Sequence, residues 1–165
     1  MISASREQLE EAGGEDRDVC TLISAALELV ETGLREELVG TRFDVGDPRF
    51  LRYLQVQLGD RRQECLYAVY LDQAGCYIRG EQVGIGNRAG ADSRMSLLFR
   101  RAVELRASAL LLAHNHPSGN CAPSRADLHA TARVDETARR LDLRLVDHLI
   151  VTRSAVYSIK KERIL

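Results

Sequence analysis

Five consecutive apolar residues, Ala109 to Ala113, run without a turn signal into His114-Asn115-His116-Pro117. A segment this short and this uniformly apolar reads as a β-strand buried on both faces, because a strand with one wet face would alternate. Its exit is equally constrained. His114-Asn-His-Pro-Ser-Gly-Asn120 has the Pro and Gly content of a loop. A long helix is expected from Ser124 to about Leu141, with Ser124 and Asp127 suited to cap its first turn.

The neighbouring segments supply the other elements. Val19, Leu22, Ile23, Ala26, Val30, Leu34 and Leu38 recur at helical spacing from Asp18 to about Val39, with Gly40 as a stop. Asp47 followed by Pro48 is an N-cap with a proline at the first helical position, and Phe50, Leu51, Leu54 and Leu58 form one apolar face. Glu64 to Leu71 then reads as a strand, Asp72 to Gly75 as a turn, and Cys76 to Gly80 as the returning strand of a hairpin. The Gly-rich stretch Gly84 to Gly90 leads into a helix over about Ser93–Arg106, with Leu97, Leu98, Ala102 and Leu105 facing inward. Leu143–Thr152 and Tyr157–Ile159 complete the strands. Residues 1–16 contain Gly13 and Gly14 and are expected to be mobile.

Charge divides the chain. Residues 1–40 hold ten acids and three bases, while the remainder holds fourteen acids and twenty bases. The second balance favours an anionic partner weakly, because its basic residues are spread over several elements. Four cysteines (Cys20, Cys65, Cys76, Cys121) form no CxxC pair, which argues against a thiolate metal cluster or a redox motif. No apolar run approaches the roughly 18 residues of a membrane span. The polar, acidic N-terminus lacks a signal-peptide pattern, so the expected compartment is the cytoplasm, with no membrane association.

The chemistry-bearing pattern is His114-x-His116-Pro117, then Ser124-x-x-Asp127. Histidines at i and i+2 leaving a strand point to one side and can reach one ion. Asp127, in the first turn of the next helix, can close over them. Two imidazoles and a carboxylate are zinc ligands, and three protein ligands leave the fourth position open for water, as at a catalytic site. Singly, each of these residues is more often a loop, core or capping residue; their joint occurrence is what points to a metal. Ser124 can set its hydroxyl beside the reacting oxygen. A general base must come from elsewhere, and Glu64 and Glu81 are the two candidates. His148 is read as structural or as a support to a ligand, His129 as a surface residue, Cys121 as packing, and Asn115 and Gly119 as shaping the loop.

His114-Asn-His-Pro-Ser-Gly-Asn-Cys-Ala-Pro-Ser-Arg-Ala-Asp127 resembles the JAMM (JAB1/MPN+) metalloprotease signature, specifically its bacterial RadC-like branch. Further matches are Ala-Val-Tyr-Leu-Asp72 in the first strand, Arg100–Gly119, and Val-Asp-His-Leu-Ile-Val-Thr152. The resemblance covers roughly residues 43–165, leaving 1–42 as an acidic N-terminal helical extension. It implies an α/β fold with a mixed β-sheet flanked by helices, of the JAB/MPN, cytidine-deaminase-like kind. It implies Zn2+ held by His114, His116 and Asp127, Ser124 on the oxyanion side, and Glu64 as the base. The activity it implies is hydrolysis of a peptide or isopeptide amide in a peptide or protein substrate. A DNA-repair-associated role binding nucleic acid and a non-catalytic MPN scaffold are the alternatives. The chain departs from the family in two places: residues 1–62 show no Gly-rich helix-hairpin-helix turns, and Gly84–Ser96 is looser than the usual link.

Overall fold

The apolar run does lie inside a sheet. A computed structural model describes residues 17–85 and 91–165, so the expectations for residues 1–16 and 86–90 lie outside the described residues. In chain order the elements are α1 (Arg17–Leu38), α2 (Pro48–Leu58), β1 (Cys65–Leu71), β2 (Tyr77–Ile85) and α3 (Ala91–Glu104). There follow β3 (Ala109–Asn115), α4 (Arg125–Arg140), β4 (Arg144–Val151), β5 (Val156–Ser158) and β6 (Arg163–Ile164). The six strands form one mixed sheet in the order β2-β1-β3-β4-β5-β6. Only β3 and β4 run parallel, joined by the crossover through α4. All seven residues of β3 are buried.

Alternation along β1 and β3 sorts the core into two halves, one on each face of the sheet. Tyr67, Val69, Leu71, Ala109, Leu111 and Ala113 share one cluster with Phe50, Tyr53, Leu54 and Leu58 of α2 and with Leu38 at the end of α1. Ala68, Tyr70, Leu110 and Leu112 share the other with Leu98, Phe99 and Ala102 of α3 and Val134 and Ala138 of α4. Helices therefore cover both faces, as a strand with two apolar sides requires. α2 starts where its sequence says it should: Asp47 Oδ1 accepts from the Arg49 amide at 2.9 Å, with Pro48 at the first helical position. α1 stops before Gly40, whose φ of +71° is costly for other residues. The chain then joins the sheet through bridges from Val39 to Tyr77 and Arg42 to Cys76. No helix among the described residues is long and apolar enough to cross a membrane.

Two strands run further than their composition suggests. β2 does not end at Gly80. A Cβ there would meet the Tyr67 hydroxyl oxygen at 2.6 Å, so this glycine admits a close neighbour rather than ending the strand. β3 likewise continues through His114 and Asn115, whose polar groups are satisfied inside the protein. In β4 an irregularity matters for the site. Leu110 pairs with Leu145 and Leu112 with His148, so three steps of β4 span two of β3. This bulge reverses the alternation beyond it and turns His148 onto the α3/α4 face.

Candidate metal centre

The three residues expected to bind a metal converge. His114 is near the end of β3, His116 lies just beyond it, and Asp127 is in the first turn of α4. One ligand atom from each lies within 4.8 Å of the others. His114 Nε2 is 3.0 Å from His116 Nε2 and 3.2 Å from Asp127 Oδ1, and His116 Nε2 is 3.5 Å from Asp127 Oδ2. His116 is fixed from behind: its Nδ1 is 2.7 Å from the Asn120 carbonyl oxygen, which can only accept. Nδ1 therefore carries the proton, and the Nε2 electron pair faces inward. The turn that brings Asn120 back runs His116-Pro-Ser-Gly119, closed by the Gly119 amide on the His116 carbonyl at 3.0 Å with Gly119 at φ +78°. Two imidazole nitrogens and a carboxylate oxygen meeting at one point make a donor set that fits a zinc-type ion better than a hard, oxygen-seeking one.

Asp127 is also part of a capping box. The Ser124 amide donates to its Oδ2 at 2.7 Å and the Ser124 hydroxyl donates to the same atom at 2.6 Å, while the Asp127 amide donates to Ser124 Oγ at 3.2 Å. Burial alone would raise this carboxyl. The hydrogen bonds it accepts from the Ser124 hydroxyl and amide act against burial and favour the charged carboxylate, the form that can bind a metal. The Ser124 hydroxyl is thus engaged in helix capping and does not stand free over the site.

Behind His114 lie two further side chains, only one of which stood out in the sequence. His148 Nε2 is 2.9 Å from His114 Nδ1, and His148 Nδ1 is 2.6 Å from Thr131 Oγ1. His148 is 4% exposed, and burial, with a smaller effect of His114, pushes its pKa down to about 3, so the ring is neutral. Thr131 was not singled out from sequence. Its signal was its spacing, four residues after Asp127 and hence on the same side of the helix.

The two candidate bases have different surroundings. Glu64 immediately precedes β1, two residues before Leu66, which pairs with His114, so alternation gives it the same sheet face as His114. It lines a cavity of about 640 Å³ together with His114, Asp127 and His148. Apolar walls from Leu66, Leu98, Leu112 and Val134 complete much of that cavity. Glu81 is not among the lining residues. Arg101 holds it with two bonds, at 2.7 and 3.0 Å, and these keep its carboxyl below the usual range.

Asn115 does more than shape a loop. Pointing to the opposite face from the two histidines, it accepts from the Cys65 amide at 2.8 Å. Its amide group donates to the carbonyls of Arg61 and Gln63, each at 3.1 Å. One side chain therefore clamps the residues on either side of Glu64. His129 is exposed, and Cys121 is a half-buried free thiol.

The RadC-like JAB domain family matches residues 47–164. A UPF0758 protein of Acidithiobacillus ferrooxidans is 39% identical over 143 residues, which is 86% of this chain and 63% of that protein. UPF0758 proteins of Streptococcus thermophilus and Bordetella bronchiseptica are 34% and 33% identical over 96% of this chain and 70% of their own lengths. The chain thus spans roughly two thirds of the relatives it matches, 63% of the first of them. With the match extending from the start of α2 to β6, the chain belongs to the RadC-like JAB domain family.

Proposed function

We propose that this chain is a zinc-dependent hydrolase of peptide or isopeptide amide bonds, with His114, His116 and Asp127 as the ligands. The observation that carries the reading is the convergence of those three donors beside a cavity that Glu64 also lines. When bound, a zinc ion supplies Lewis acidity, polarising a carbonyl oxygen and making water easier to deprotonate. The Glu64 carboxylate takes a proton from the attacking water and delivers it to the leaving amine nitrogen. The apolar walls exclude bulk water around that transfer and leave room for a peptide segment of a protein substrate. The Ser124 hydroxyl serves the oxyanion only if it exchanges its bond to Asp127 for one to substrate. A reduced, cytoplasmic setting belongs to the same reading and suits the free thiols of Cys76 and Cys121.

Two measurements test it. Metal content of the purified chain should be about one zinc per chain by the ligand count of such sites, and His116→Ala should lose it. Glu64→Gln should keep the metal while amide hydrolysis falls by about 10²- to 10⁴-fold. A wild-type chain that takes up no zinc on incubation, or a Glu64→Gln variant with undiminished turnover, would overturn the proposal.

A further inference from the structure

Hydrogen-bond chemistry behind His114 determines which of its nitrogens holds a proton. Thr131 Oγ1 lies 2.6 Å from the Asp127 carbonyl oxygen and 2.6 Å from His148 Nδ1. The hydroxyl has one proton, and the carbonyl can only accept. Giving that proton to His148 would leave two oxygens 2.6 Å apart with nothing between them. The proton therefore goes to the carbonyl, and His148 Nδ1–H donates to the Thr131 oxygen. A neutral ring protonated on Nδ1 has a bare Nε2, which accepts. Its partner at 2.9 Å is His114 Nδ1, so that atom is the donor. The electron pair of His114 is left on Nε2, the atom that faces His116 and Asp127.

We propose that Thr131 and His148 are positioning residues that hold His114 as its Nδ1–H tautomer and so present Nε2 to the metal. The inference rests on the metal reading above and adds two residues to it. The relay is built into the fold at both ends. The bulge in β4 turns His148 toward β3, and Thr131 sits one helical turn beyond Asp127, to whose carbonyl it donates. Three successive bonds thereby tie the backbone of one ligand residue to the ring of another. His116 reaches the same tautomer independently, through the Asn120 carbonyl.

The test uses Thr131→Val, which keeps the shape and removes the oxygen, with Thr131→Ser as the conservative control. In zinc-free protein at mildly alkaline pH, nitrogen-15 spectra of the imidazoles should show His114 protonated on Nδ1 in wild type and in Thr131→Ser. In Thr131→Val the Nε2–H form should gain population. Zinc affinity, measured by chelator competition, should fall by about ten- to a hundredfold in Thr131→Val, the usual size of such outer-shell effects, and return in Thr131→Ser. Wild type with His114 protonated on Nε2 would overturn the relay. So would a Thr131→Val chain that binds zinc as tightly as a zinc-binding wild type. A wild type that binds no zinc at all would overturn the metal reading, and the relay's purpose with it.

Discussion

Replacing Asn115 by Asp changes one buried amide group into an oxygen and tests how the site's two halves are joined. Asn115 is 1% exposed and uses all three of its bonds on the segment that carries Glu64. The aspartate keeps the acceptor for the Cys65 amide but has no protons for the carbonyls of Arg61 and Gln63. Two bonds worth about 1 kcal/mol each are lost. An ionised carboxylate facing two carbonyl oxygens in the interior would cost several kcal/mol more. The new carboxyl instead stays protonated well above the usual value of about 3.9 and regains one bond as a donor. Keeping it protonated at pH 7, about three units above that value, costs about 4 kcal/mol. With one bond still lost, the net penalty should be about 5 kcal/mol, a large share of the roughly 5–15 kcal/mol that holds a domain folded. The sign of its pH dependence follows. A carboxyl with a raised folded-state pKa makes the native state bind more protons than the unfolded one. The penalty must shrink as pH falls from 7 towards about 4. Urea unfolding of wild type and Asn115→Asp at pH 7 and pH 5 measures both quantities. A penalty below about 0.5 kcal/mol at pH 7, the usual size for an inconsequential surface change, or one that grows on acidification, would refute the clamp.

Ser124→Ala should lower stability by about 1 kcal/mol through loss of the helix cap. Ser124→Asn should restore stability and, if the hydroxyl also serves the reaction, leave turnover low; urea midpoints and hydrolysis rates on the same variants separate the two roles. The Glu81–Arg101 pair should contribute about 1 kcal/mol, seen as a lower urea midpoint of Glu81→Gln at neutral pH. Because the folded-state pKa of Glu81 is depressed, that contribution is present above the unfolded value of about 4.3 and is lost as pH falls through the folded value. A difference from wild type that persists unchanged at pH 3 would contradict the pairing.

Much of the site was legible because its parts were close in sequence and each had a local reason. The run Ala109–Ala113 could only be an interior strand, and a His-x-His pair at its exit had to share a face. Asp127 was legible twice, as a cap and as a candidate ligand, and the structure shows its cap bonds beside its approach to both histidines. What sequence left open depends on contacts across the sheet. The different surroundings of Glu64 and Glu81 depend on the β1–β3 register and on the arginine of α3. The aim of His148 depended on one extra residue in β4, which no periodicity announces. Gly80 looked like a strand end because composition cannot tell a glycine that stops a strand from one that makes room for a tyrosine ring. β6, only two residues long, carries no pattern at all.

The placement of β3 between β1 and β4 has a kinetic consequence. Backbone amides of a fully buried central strand exchange with solvent only when the whole domain opens, whereas exposed loops exchange through small local fluctuations. His114 and Asn115 belong to the slow class, and the largely exposed stretch from Pro117 to Ser124 belongs to the fast one. One candidate ligand is therefore anchored in the sheet, while His116, tethered through Asn120, and Asp127, at the start of its helix, flank the exposed stretch. Any opening of that stretch would part His116 from Asp127 while leaving His114 in the sheet.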